Sequence, residues 1–232
     1  MGGYCIPRGG CPSRLSPLHF IKLKQMPEGG SSNPRIKVFI DYWNFQLLTN
    51  ETVGRDKTPL DWKNLGAMLA KCASETASIG SFTYEGTNIY TSYNPGKEAS
   101  YYSWVQNFLN RQPGIQVYCS ERRPKKRPTC PSCHKTINNC PFCKELLIGT
   151  SEKGVDALIV TDLIRLAWEN GYDLAVLASS DSDLIPAVKF LDNKGKKVIH
   201  AGFRSIGIDL AKACWASFDI VPKISEIIRT SP

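Results

Sequence analysis

The sequence predicts an α/β fold, a mostly parallel, doubly wound, Rossmann-like sheet carrying a small inserted cysteine-knuckle module. Three observations predict it. Short strand-like runs alternate with helical stretches, which implies crossover units between parallel strands. The runs Val38-Phe39-Ile40, Leu174–Ala178 and Val198-Ile199 are apolar without two-residue alternation, as strands covered on both faces are. Four of the nine cysteines crowd into residues 130–143, outside that alternating pattern.

Taken in order, residues 1–34 mix Gly, Pro and Ser with isolated Lys and Arg and lack a continuous apolar run. They read as a disordered or extended leader, not a secretory signal. Residues 35–222 form the body, 122–149 the insertion within it, and 223–232 a C-terminal tail. Residues 36–40 are the first strand. Pro59-Leu60-Asp61-Trp62 opens a helix through about Cys72, with Leu65, Met68 and Leu69 on one face. Residues 82–93, rich in Tyr, Thr and Ile, form a strand. Residues 97–110 are helical, because Tyr101, Trp104, Val105, Phe108 and Leu109 recur at helical spacing. That spacing makes Trp104 a core residue and not a base-stacking platform. Residues 115–119 are a strand, and Val155–Trp168 a helix closed by Asn170-Gly171. Then come a strand at Leu174–Ala178, a helix over 184–191, a strand over 197–200, a helix over 208–215 and a last strand over 218–221.

With 232 residues, the chain is long enough for one sizeable domain plus an insertion or tail. No apolar run approaches the length needed to span a bilayer, so no membrane partner and a cytoplasmic location are expected. The formal charge of +8 is unevenly held. Residues 122–150 carry seven Lys/Arg against one acid, whereas 35–121 carry eight against eight. The run Arg122-Arg123-Pro124-Lys125-Lys126-Arg127 is suited to capturing a polyanion without making the whole surface adhesive. A merely solvated run is the competing reading.

Cys130-Pro-Ser-Cys133 and Cys140-Pro-Phe-Cys143 are paired CxxC turns in a chain without a secretion signal, a pattern that favours structural, tetrahedral Zn²⁺ over disulfides. Only six residues separate the two turns, which is tight. His134 beside a complete cysteine set reads as a surface residue, and a redox or simply reduced thiol cluster is the alternative. Cys5, Cys11, Cys72, Cys119 and Cys214 lack ligand spacing.

Strand one leaves the core on Asp41, followed by Asn44. In open parallel sheets, ligand sites form outside the carboxyl ends of the strands. The strand 174–178 ends similarly, on Ser179-Ser180-Asp181-Ser182-Asp183. Pro186 is tolerated only in a first helical turn, so the next helix starts near Ser182 and the two acids bracket the corner. Asp156, after Lys153-Gly154-Val155, sits in the first turn of a helix that returns from the same edge. Helix capping explains one acid of this set and not all of them. Converging carboxylates repel unless a cation lies between them, and an all-oxygen donor set points to Mg²⁺ or Mn²⁺. Asp162, about 9 Å deeper along its helix, is either support for that site or a structural hydrogen-bond acceptor. Ser180 and Lys153 are expected in supporting or structural roles, and Asp209 and Asp219 in structural ones. A phosphatase would use similar ligands, but the usual DxD after strand one is absent, since Tyr42-Trp43 follows Asp41.

Asp41-x-x-Asn44, Lys153-Gly-Val-Asp156 with Asp162, and Ser179-Ser-Asp181-Ser-Asp183 together resemble the NYN (LabA-like) domain of the PIN-like nuclease superfamily, over residues 35–222. The resemblance implies a PIN-like α/β/α fold and a metal-dependent ribonuclease, an endonuclease. It implies that Asp41, Asp156, Asp181 and Asp183 hold Mg²⁺ or Mn²⁺, with Asn44 orienting a phosphate or a water. The basic cysteine-rich insertion is no part of the minimal family pattern. It reads as an RNA-capturing arm built on Arg122, Arg123, Lys125, Lys126 and Arg127, with protein docking as the competing reading. The expected partner is RNA, single-stranded or structured, and a homodimer is compatible. The alternative to the enzyme is an RNA-binding or regulatory module of the same fold with little or no turnover.

Overall fold

The computed structural model describes residues 33–204 and 206–229. The expected leader therefore lies outside the described residues, apart from Asn33 and Pro34, as do Cys5, Cys11 and the end of the tail. The body begins with β1 (Arg35–Asp41), followed by α1 (Tyr42–Val53), α2 (Trp62–Thr76) and β2 (Thr83–Tyr93). Next come α3 (Ala99–Asn107) and β3 (Ile115–Glu121). A two-strand ladder, β4 (Arg123–Pro124) with β5 (Thr150–Ser151), closes the root of the insertion. The chain continues through α4 (Val155–Trp168), β6 (Leu174–Ala178), α5 (Ile185–Asn193) and β7 (Lys197–Gly202). It ends with α6 (Ile208–Ala213), β8 (Ala216–Asp219) and α7 (Ile224–Ile227).

Six strands form one parallel sheet in the order β3-β2-β1-β6-β7-β8. Both faces are covered, as the unbroken apolar runs predict. Ile36, Val38 and Ile40 of β1 join Phe45, Leu65 and Leu69 in one core layer. Phe39, on the opposite face, joins Ile159, Leu163, Leu177 and Val188 in the other. Val105 and Leu109 are fully buried and Trp104 packs against the core, but the helix expected over 97–110 stops at Asn107, Leu109 begins a 3₁₀ turn, and Phe108 is exposed. β1, β2 and β3 step outward on one side, and β6, β7 and β8 on the other. The sheet therefore has its switch point between β1 and β6, the place where open parallel sheets build their ligand sites.

Three further local features depart from the expected reading. Helix α1 follows β1 without a loop. Asp41 caps it, accepting the Asn44 N–H at 3.2 Å. The last strand ends two residues early, because Val221-Pro222-Lys223 form a 3₁₀ turn and proline has no N–H to give a ladder. Residues 223–229 are also bonded to the body. Asp61 N–H donates to the Ile227 carbonyl at 2.8 Å, and Ile227 is buried.

Candidate active site and basic arm

The acids meet at the switch point because the chain turns there. Asp41 is the last residue of β1, Asp181 follows β6, and Asp156 lies in the first turn of α4, which starts at the same edge. Asp41 is only 6% exposed. Burial pushes its carboxyl up to about 7, and the charges of Glu152, Asp156 and Asp181 push the same way against the Asn44 N–H bond. Asp156 is raised as well, by burial first and then by Asp181, Glu152 and Asp183. Among the described residues, the charges that act most strongly on either carboxyl are acidic. Asp156 and Asp181 thus act on Asp41, and Asp181 and Asp183 on Asp156, across a single rim.

Two of these acids also cap helical turns. Asp41 Oδ1 accepts the Asn44 N–H, and Asp181 Oδ1 accepts the Asp183 N–H at 2.9 Å. Each cap occupies one carboxylate oxygen; the second oxygen of Asp41 accepts the Ser179 hydroxyl at a long 3.5 Å. The all-oxygen set fits a hard divalent cation. As the side chains stand, no three His, Cys, Asp or Glu among the described residues are close enough together to hold an ion. Ligation therefore requires these carboxylates to turn toward a common point.

The supporting residues have defined tasks. Asn44 Oδ1 accepts the Ser180 N–H at 2.9 Å, tying the corner after β1 to the corner after β6. Ser180 acts here through its backbone. His200 Nε2 donates to the Ser179 carbonyl at 2.8 Å, and burial keeps this ring's pKa low, so a neutral imidazole braces the strand end. Gly207 has φ +72, and a Cβ there would lie 2.9 Å from Ser180 Cα; glycine lets the start of α6 rest against the corner. Lys153 is exposed beside Glu152. Asp162 is a structural acceptor. It receives Tyr90 Oη at 2.8 Å, Asn88 Nδ2 at 3.3 Å and Arg165 Nη2 at 2.9 Å, below the rim. Asp219 caps Arg204 and Val221 N–H groups at 3.0 Å each, and Asp209 pairs loosely with Lys212.

Sequence reasoning missed Glu152. It acts on both Asp41 and Asp156, and its carboxylate accepts the Ser92 hydroxyl. Arg122 reaches the same serine from the other root of the insertion. Its Nε donates to Ser92 Oγ at 2.9 Å, its Nη1 approaches Glu98 at 3.4 Å, and its guanidinium lies 5.0 Å over the Trp43 ring. Trp43 in turn donates Nε1–H to the Ser92 carbonyl at 2.7 Å. The structure thereby separates Arg122 from the rest of the basic run. Arg122 anchors the arm, while Arg123, Lys125, Lys126 and Arg127 are exposed.

Beyond that root the insertion is an internal repeat offset by ten residues, which the sequence reading did not notice. His134 N–H donates to Cys130 O at 2.9 Å, and Lys144 N–H to Cys140 O at 3.0 Å. Cys130 N–H donates to Lys135 O at 2.9 Å, and Cys140 N–H to Glu145 O at 2.8 Å. His134 and Lys144 share positive φ values of 56° and 64°. Backbone N–H groups of Cys133 and Ser132 lower the Cys130 thiol, and those of Cys143 and Phe142 lower Cys140 in the same way. Each turn is thus a formed two-thiol knuckle with free cysteines. The two knuckles do not meet as one four-sulfur site in this arrangement.

The NYN domain profile matches residues 35–220. No curated protein matches the chain. A crystal structure of a Vibrio parahaemolyticus protein of unknown function is similar, with a TM-score of 0.51 at 16% identity, covering 83% of this chain and 96% of that one. At that identity the likeness concerns the fold. No helix among the described residues is long and apolar enough to cross a membrane.

Proposed function

Because this chain belongs to the NYN domain family, whose PIN-like fold is a ribonuclease fold, we propose that it is a divalent-metal-dependent endoribonuclease. The observation that carries the reading is the meeting of acids at one rim: Asp41, buried at the end of β1, lies close enough to Glu152, Asp156 and Asp181 for their charges to act on it. Asp41, Asp156, Asp181 and Asp183 would hold Mg²⁺ or Mn²⁺, with Glu152 beside them. When bound, the ion would activate a water and stabilise charge on the leaving oxygen of a phosphodiester.

The chain's own groups do the rest. Asn44, its carbonyl fixed by the Ser180 N–H, presents its amide N–H groups to a phosphate oxygen. The neutral His200 and Gly207 hold the Ser179–Ser180 corner that sets this distance. Arg123, Lys125, Lys126 and Arg127 gather phosphates on the arm and hold the strand near the rim.

Labelled RNA incubated with Mn²⁺ or Mg²⁺ should be cut by the parent and not by Asp181→Asn. The second reading, a binding module with little turnover, draws on the two caps and the unclosed acid cluster. RNA retained but uncut by both proteins would establish it over the enzyme.

Zinc belongs to the same proposal. Two knuckles, each with paired thiols and N–H groups aimed at sulfur, would close on one ion through Cys130, Cys133, Cys140 and Cys143. Native mass spectrometry should find one zinc per chain, lost in Cys140→Ser. Metal-free protein after purification without chelators would reduce the knuckles to plain turns.

A further inference from the structure

The two knuckles supply their own control experiment. They share backbone hydrogen bonds, positive-φ residues and sulfur contacts at a ten-residue offset. They differ at the residue before the second cysteine, which is Ser132 in one and Phe142 in the other. Ser132 makes the same turn, so the turn does not need an aromatic ring. Packing does not need it either. Phe142 is 91% exposed, more than any other large hydrophobic side chain among the described residues.

The insertion that carries it is cationic. Lys125, Lys126, Arg127, Lys135 and Lys144 are exposed on this insertion, against the one acid Glu145. Lys144 Nζ donates to the Pro141 carbonyl at 2.7 Å, which holds a cation on the same knuckle, two residues from Phe142 in sequence. A bare aromatic face among phosphate-binding cations is the arrangement that holds unpaired bases. A paired duplex keeps its base faces stacked internally and offers none to such a ring.

We propose that Phe142 is a base-stacking residue and that the arm selects single-stranded RNA. This rests on the reading of the arm as an RNA-capturing element. Cations hold the backbone without regard to strandedness, and Phe142 supplies the preference. The same residue type placed on a protein-docking surface would show no such preference.

The test uses the full chain carrying Asp181→Asn, so that binding is read without hydrolysis. A short labelled oligoribonucleotide of mixed sequence is titrated alone and as a duplex, across a salt series. Phe142→Ser copies the sister knuckle's own residue and so retains the turn. It should weaken single-strand binding about tenfold, leave duplex binding unchanged and leave the salt slope unchanged. Phe142→Tyr should bind as the parent does. Equal single-strand affinity in Phe142→Ser overturns the proposal and assigns the ring to a protein partner. An equal loss on single strand and duplex overturns it too. Binding of this kind together with no RNA cleavage by the parent chain, Asp181 intact, refutes the nuclease reading alone.

Discussion

β1 and β6 lie side by side, and their two ends treat acids in opposite ways. At the amino ends, Asp173, just ahead of β6, takes the Arg35 guanidinium in a two-pronged pair, Nε to Oδ2 at 3.0 Å and Nη2 to Oδ1 at 2.9 Å. These bonds hold the Asp173 carboxyl below its usual range. At the carboxyl ends of the same strands, Asp41 and Asp181 face Asp156 and Glu152, and the Asp41 carboxyl rises instead. The first acid is neutralised from within the chain and fastens two strands. The others face further acids, and the proposed divalent ion would supply the missing charge. Burial and the sign of the neighbouring charges together separate the two acids.

The strongest way to break this contrast is catalytic. Asp156→Asn should reduce metal-dependent RNA cleavage by roughly a thousandfold, while Asp173→Asn leaves the cleavage rate at the parent value. Comparable losses in both would erase the distinction. A subtler test uses stability against pH. The Asp41 carboxyl titrates near 7 in the folded chain and near 3.8 as an ordinary group. Folding therefore takes up a proton between about pH 4 and 7, and stability falls as pH rises through that window. Asparagine caps a helix as well as aspartate does. Asp41→Asn should then be more stable than the parent by about 2–4 kcal/mol at pH 8 without divalent ions, the gain vanishing toward pH 4. Denaturant melts in chelator measure this, and a variant less stable at pH 8 would contradict it. Asp173→Asn should show the opposite sign and the smallest effect. It should lose about 0.5–1 kcal/mol near neutrality, because the pair is partly exposed and screened. That loss should fade as pH drops below the ordinary carboxyl range.

Much of this was legible in the sequence where local rules suffice. Apolar runs marked strands covered on both faces. Pro186 located the corner after β6, and the acids that end strands one and six fell at the predicted edge. Helix α1 was not seen because it buries Gln46 and Thr49, so its apolar periodicity is weak. Glu152 carried no motif. It reaches the rim only because β4 and β5 fold the insertion back on itself, a contact between distant residues. Arg122 looked like its basic neighbours, and only Ser92, Glu98 and Trp43, all remote in sequence, distinguish it. Capping by Asp41 and Asp181 was weighed in advance, but which oxygen each cap would occupy depends on side-chain rotation, which residue type does not encode.

The ladder of Arg123 with Ser151 and Pro124 with Thr150 makes departure and return of the inserted chain neighbours. A segment attached in this way imposes one short spacing on its host and nothing else, so length and content beyond it are free to vary. The body is in effect a socket, and any hairpin-ended tip of matching width can be plugged in without disturbing the sheet. Grafting foreign recognition tips at this junction is a direct route to retargeting the molecule.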